Sequence, residues 1–140
     1  MERLAIHLAL HGSAVLTVSI VGGLLLYRTI LKRTNESQWH LLHAGGTARG
    51  VMLIALAGII RLPALSRAQL SAFVWLTIFF VWTSTLAMLI AAATGDRGLR
   101  LEGSVANKAV YGLYAAGTAA VVPACALLIY GLLNALRVQT

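Results

Sequence analysis

The chain has 140 residues, of which 59% are hydrophobic and 11% are charged, and its mean hydropathy is +0.85. In a soluble domain about a quarter of all residues are charged, so this composition excludes an ordinary water-soluble protein and predicts an integral membrane protein. The net charge of +7 would indicate nucleic-acid binding in a soluble chain. Here the basic residues stand mostly at the ends of apolar segments, where anionic headgroups bind them, so we expect membrane lipid as a partner and no nucleic acid.

Four apolar runs are each long enough for the roughly 20 residues that one transmembrane helix requires. They predict an all-α, polytopic fold with a single domain over residues 1–140, whose four membrane-spanning helices lie near residues 4–27, 41–60, 70–93 and 109–133. The one cysteine excludes an internal disulfide and a thiolate metal cluster.

Two histidines in the first predicted helix, His7 and His11, are four residues apart and therefore share one face. His11 would lie about 10 Å below the membrane surface at a rise of 1.5 Å per residue, whereas His7 fits an interfacial position. The second helix enters from the opposite side of the membrane with its own pair, His40 and His43. The depth between the two pairs argues against a four-histidine metal site within one chain.

The most informative segment is Trp39–Gly50, where the second helix begins. His43 precedes Gly45 and Gly46, which have no side chains and would let a broad, flat group such as a haem approach the backbone. Glycine within a helix costs about 1 kcal/mol relative to alanine, which favours a specific role. Two alternatives stay open: His43 could bind a loop carbonyl, and Gly46 with Gly50 could form a close helix–helix crossing.

Arg49 is the only basic residue well inside an apolar run. An arginine at the bilayer centre costs some kcal/mol, so we expect it to face a cavity, an anion or carbonyl groups. Asp and Glu are absent from all four runs, which leaves a haem propionate or a substrate oxygen as candidate partners. Snorkelling to the interface is the alternative. Arg49 lies about 9 Å deeper than His43 and about 120° around the helix.

These motifs together resemble the styrene oxide isomerase family of small bacterial membrane proteins. Three patches carry the resemblance, and they are in register along most of the chain. They are His11-Gly12, then Trp39, His43 and Gly45 followed by Gly50-Val51-Met52, and finally Trp82 with Arg97-Gly98-Leu99. The third predicted helix contains Trp82 near its middle, where we expect a core or pocket wall.

The resemblance implies a trimer of four-helix protomers with a haem b between neighbouring subunits. It implies that His43 is the axial ligand of the iron, and that the iron acts as a Lewis acid on a small hydrophobic epoxide and converts it to an aldehyde. The other residues expected to contact the cofactor are Trp39, Gly45, Gly46, Gly50, His11, Trp82 and Arg97.

The chain departs from the family pattern at the two positions that orient the epoxide. The family has an asparagine six residues after the ligand histidine, where this chain has Arg49. It has a tyrosine six residues after the third-helix tryptophan, where this chain has Met88. Arg49 and Met88 are therefore the candidate catalytic positions, and the resemblance implies the haem more directly than the substrate.

Two functions follow from the sequence. One is a haem b-binding protein of the bacterial inner membrane that isomerises an epoxide, and the other is a non-enzymatic haem or gas sensor or carrier. A small multidrug exporter is disfavoured because such exporters couple transport to a membrane-embedded carboxylate, and the apolar runs contain none.

Overall fold

The computed structural model describes residues 1–33 and 36–138, which form four α-helices and contain no strand. The helices are α1 (Glu2–Lys32), α2 (Glu36–Ile59), α3 (Arg67–Thr94) and α4 (Val105–Val138). All four are long and apolar enough to cross a membrane. The predicted all-α fold with four transmembrane helices is therefore confirmed.

The helices extend beyond the apolar runs from which they were predicted. α1 continues to Lys32 instead of ending near residue 27, and α4 begins at Val105 instead of residue 109. Hydropathy marks where the chain leaves the hydrocarbon, whereas a helix ends where its backbone is capped or its conformation changes. α1 accordingly ends at Arg33, whose φ of 52° lies in the left-handed region.

Side-chain and glycine caps set both ends of α3. Ser66 accepts a hydrogen bond from the backbone N–H of Gln69, and the Gln69 side chain accepts one from the backbone N–H of Ser66. This reciprocal pair satisfies two amide donors that would otherwise lack a helical partner. At the other end, Gly95 has a φ of 82°, a left-handed conformation that glycine adopts without steric penalty.

The four helices pack as two pairs that meet through α3. α1 packs along α2, α4 packs along α3, and α3 also contacts both α2 and α1. Across the described residues, no α-carbon of α4 lies within 8 Å of an α-carbon of α1 or α2. The main core lies between α1, α2 and α3, where buried side chains include Leu8, Val15, Leu53, Phe73, Val74 and Val81.

Glycines bring the backbones of α1 and α2 into close contact. A β-carbon on Gly12 would lie 2.8 Å from the carbonyl oxygen of Gly50, and a β-carbon on Gly50 would lie 2.9 Å from that of Gly12. One turn away, a β-carbon on Gly46 would collide with the Ser19 hydroxyl. The Gly46–Gly50 step thus packs against α1 of the same chain, which is the helix-packing alternative of the sequence analysis.

We expect Gly50→Ala to destabilise the protein because its methyl group would lie 2.7 Å from Cγ of Leu16 and would force α1 away from α2. Overpacking of this kind costs about 1–3 kcal/mol. Thermal unfolding of the purified protein in detergent, followed by circular dichroism, measures the effect as a lower Tm.

Gly58→Ala is the matched control in the same helix, because no atom lies within 4 Å of the added methyl group. Its Tm should equal or exceed that of the wild type, since alanine is the better helix former by about 1 kcal/mol. A Gly50→Ala variant with wild-type Tm would contradict the close crossing.

Candidate functional site

His43 is oriented by a hydrogen bond to the neighbouring helix. Its Nδ1 lies 2.9 Å from the backbone carbonyl oxygen of Ser19 in α1. A carbonyl oxygen can only accept, so Nδ1 carries the proton and Nε2 keeps its lone pair. Ser19 contributes only its backbone carbonyl to this contact, because its hydroxyl donates to the carbonyl oxygen of Val15 within α1. His43 is half-buried and presents a nitrogen suited to a metal.

A second glycine pair makes room for the His43 ring. A β-carbon on Gly23 would lie 2.7 Å from Nδ1 and 2.9 Å from Cε1 of His43. The neighbouring Gly22 is buried, and a β-carbon there would lie 3.0 Å from Cδ2 of Leu42. The ring of His43 therefore lies directly against the backbone of α1, and any side chain at position 23 would displace it.

The outer surface beside His43 is apolar and exposed. Ile20 and Tyr27 lie about one turn to either side of Gly23, and they are 60% and 62% exposed. Leu24 adds a third large apolar side chain, 63% exposed, to the same stretch of α1. These three side chains would form an apolar wall on one side of a flat group held at His43.

Arg49 lies on a different face of α2, against α3. Its Nη1 donates to the carbonyl oxygen of Gly45 over 2.9 Å and lies 3.6 Å from Sδ of Met88. The guanidinium carbon is 5.7 Å from the centre of the Phe80 ring. A β-carbon on Gly45 would lie 2.8 Å from Nη1, so the absence of a side chain at Gly45 makes room for the arginine.

His11 and Trp82 form a third cluster, between α1 and α3. The indole Nε1–H of Trp82 donates to Nδ1 of His11 over 3.0 Å. His7 stacks on His11 with 6.2 Å between ring centroids, and Trp75 lies 5.1 Å from His7. Ser19 follows His11 by eight residues, about 12 Å along α1, so this cluster is separate from the His43 site.

The described residues contain no group of three or more His, Cys, Asp or Glu side chains that could hold a metal ion. A metal at His43 would therefore need most of its ligands from a prosthetic group. A model of the styrene oxide isomerase family matches residues 4–133, which include most of all four helices. The chain belongs to the styrene oxide isomerase family. Comparison with curated proteins gave no match.

The two positions at which this styrene oxide isomerase family member is predicted to depart from the family pattern are in direct contact. Arg49 and Met88 come from different helices, and their side chains meet at the 3.6 Å contact between Nη1 and Sδ. They are 39 residues apart in the chain, and the fold brings them together. Their assignment as catalytic positions stays a prediction.

The remaining candidate residues of this family member lie at three places. Gly46 and Gly50 are buried beneath α1 at the helix crossing. Trp39 is half-buried near the start of α2, and Arg97 is exposed in the loop between α3 and α4. Within one protomer, His43 faces α1 while Arg49 faces α3, so the two side chains do not meet.

Sequence reasoning missed the residues of α1 that position His43. The carbonyl of Ser19 gave no signal, because a backbone acceptor exposed by close helix packing has no residue signature. The Gly22-Gly23 pair did give one, since two adjacent glycines in an apolar helix indicate a close approach. The contact of Phe80 with Arg49 was also missed, because its spacing in the chain does not show which helices are neighbours.

We expect His43 and His11 to occupy opposite neutral tautomers in the haem-free protein. Nδ1 of His43 faces a carbonyl oxygen and must carry the proton, whereas Nδ1 of His11 faces an N–H donor and must not. Two-dimensional ¹⁵N–¹H NMR of histidine-labelled protein at neutral pH distinguishes the two forms by their ring nitrogen shifts.

Trp82→Phe removes the indole donor and should release His11 from its single tautomer while leaving the His43 signals unchanged. The same tautomer for both rings in the wild-type protein would contradict the hydrogen bonds described above.

Proposed function

We propose that the protein binds haem b through His43 and isomerises a small hydrophobic epoxide to an aldehyde. The observation that carries the proposal is the hydrogen bond from His43 Nδ1 to the Ser19 carbonyl, which leaves Nε2 available to iron. A histidine ligand of a metal usually donates its other ring N–H in this way, which fixes the ring and makes it a better ligand. Membership of the styrene oxide isomerase family supports the same assignment.

The surroundings of His43 fit a haem that is shared between subunits. The exposed side chains of Ile20, Leu24 and Tyr27 form an apolar wall beside the ring, as a porphyrin requires. The wall covers one side only, so we propose that a neighbouring protomer covers the other side in a homotrimer. Arg49 and His43 face different helices, so a site that uses both of them needs two subunits.

When bound, the haem would supply a Lewis-acidic iron with an open coordination position for an epoxide oxygen. The overall reaction is internal to the substrate: one ring C–O bond breaks, a hydride moves to the adjacent carbon, and the remaining C–O bond becomes a carbonyl. No external oxidant or proton donor is required. The chain contributes the fixed His43 ring and an apolar environment that excludes water, which would otherwise convert an opened epoxide to a diol.

A second candidate function is a haem or gas sensor or carrier without isomerase activity. It is favoured by the contact between Arg49 and Met88, because these residues replace the pair that orients the epoxide in the family. In both cases we propose the bacterial inner membrane as the location, on the strength of the family resemblance and the four apolar helices.

His43→Ala should abolish or strongly shift the Soret absorption band, because the iron loses its protein ligand. The absorption spectrum of protein purified with haem, recorded before and after reduction, measures this. His7→Ala is the control, since His7 lies in the separate aromatic cluster, and it should retain the wild-type spectrum.

Native mass spectrometry of the same wild-type preparation is expected to find three chains with up to three haems. A His43→Ala spectrum identical to that of the wild type would remove the ligand assignment. A monomer that retains one haem per chain would contradict the shared site.

Incubation with styrene oxide tests the enzymatic half of the proposal. The haem-loaded wild type should form phenylacetaldehyde, measured by gas chromatography, and His43→Ala should lose this activity together with the Soret band. If the haem-loaded wild type converts none of a panel of aryl and alkyl epoxides, the sensor or carrier function replaces the isomerase.

A further inference from the structure

Arg49 keeps one side of its guanidinium without a protein partner. Its described hydrogen bonds all come from Nη1, to the carbonyl of Gly45 and to the thioether of Met88. Nε is buried and has no hydrogen-bond partner among the described residues. Nε–H and the adjacent Nη2–H together form one flat edge of the guanidinium, and this edge matches the two oxygens of a carboxylate.

The charge of Arg49 is not neutralised by the protein around it. Among the described residues, its contacts are to a carbonyl oxygen, a thioether and the face of the Phe80 ring, all of which are neutral. The four acidic residues of the chain lie at or beyond the helix ends, at Glu2, Glu36, Asp96 and Glu102. Arg49 follows Glu36, the first residue of α2, by thirteen residues, about 20 Å along the helix, so the Glu36 carboxylate is not near it.

A groove separates α2, the helix that carries Arg49, from α4. α2 and α4 both pack on α3 but not on each other within the described residues, which leaves a groove between them. At the end of this groove lies a cavity of about 560 Å³ lined by the first turns of α2, by Arg97 and Leu99 of the loop, and by Tyr114. Tyr114 is also close enough to Arg49 for the two side chains to interact electrostatically.

The lining of this cleft favours a ligand with an anionic head and an apolar body. The mouth carries the cation Arg97 and the imidazole of His40, and no carboxylate lines it among the described residues. Leu41 and Leu99 provide exposed apolar surface at the same mouth. The contact of Met88 with Nη1 does not lock the guanidinium in place, because a methionine side chain is unbranched and flexible and can adjust at small cost.

We propose that Arg49 is a carboxylate-binding residue, with Nε and Nη2 as the donors and the α2–α4 cleft as the route of entry. The carboxylate can come from two sources: a free amphipathic monocarboxylic acid, or a haem propionate of a neighbouring subunit. Only the second source rests on the proposed function. Arg49 supplies a fixed positive charge for either one, because a guanidinium stays protonated at any physiological pH.

The test uses octanoate as the free acid and 1-octanol as its uncharged analogue. Haem-free wild-type protein in detergent should bind octanoate at least about tenfold more tightly than octanol, as measured by isothermal titration calorimetry. Arg49→Gln should lower octanoate affinity by about tenfold to a hundredfold, as expected for charge-assisted hydrogen bonds, and should leave octanol binding unchanged.

Arg61→Gln is the matched control, because it removes the same charge from an exposed position just beyond the opposite end of α2. It should bind octanoate as the wild type does. Thermal unfolding shows that each variant is folded, and octanoate should raise the Tm of the wild type and of Arg61→Gln but not that of Arg49→Gln.

Haem content, measured by the pyridine haemochrome spectrum, tests the propionate source separately. A lower haem content in Arg49→Gln with normal octanoate binding would assign the carboxylate to the haem. Octanoate binding and haem content that are both equal in wild type and Arg49→Gln would overturn the proposal. The octanoate arm contains no haem, so it stands even if His43 proves not to be a haem ligand.

Discussion

The close crossing of α1 and α2 is the constraint on which the rest of the structure depends. Inside a bilayer there is no water to drive apolar helices together, so van der Waals contact and interhelical hydrogen bonds must hold them. Gly12 and Gly50 let the two backbones approach so closely that the carbonyl oxygen of each glycine occupies the space next to the α-carbon of the other. The same approach brings the carbonyl of Ser19 within 2.9 Å of His43. Helix association and the orientation of the candidate ligand thus have one cause.

The sequence was sufficient to predict the fold, and it singled out several candidate site residues. Four apolar runs predicted four helices because a bilayer demands a minimum helix length. His43 and Arg49 stood out because an ionisable residue in such a run needs a reason to be there. The partners of these residues were not predictable, since Ser19 contributes a backbone atom and Phe80 belongs to a helix whose position depends on packing. Composition does not encode which helices become neighbours.

The glycines of α2 illustrate how one residue type can serve several structural purposes. Gly45, Gly46 and Gly50 were predicted as places for a cofactor to approach, with helix packing as the alternative for Gly46 and Gly50, and a different part of the chain lies against each of them. Gly45 accommodates the side chain of Arg49, Gly46 lies against Ser19, and Gly50 lies against Gly12 and Leu16. Gly23, in α1, is the glycine that admits the His43 ring. A missing side chain indicates close approach, but the approaching group is known only from the three-dimensional packing.

The separation of α2 from α4 has a consequence for how hydrophobic molecules reach the protein. Because α2 and α4 are linked only through α3 in the described part of the chain, no direct α2–α4 interface closes the protomer from the side. A molecule dissolved in the bilayer can then diffuse laterally into a protomer without passing through water. The fraction of protomers that hold such a molecule would depend on the concentration of the molecule in the lipid phase. Partitioning of the molecule between water and membrane therefore becomes part of the apparent affinity.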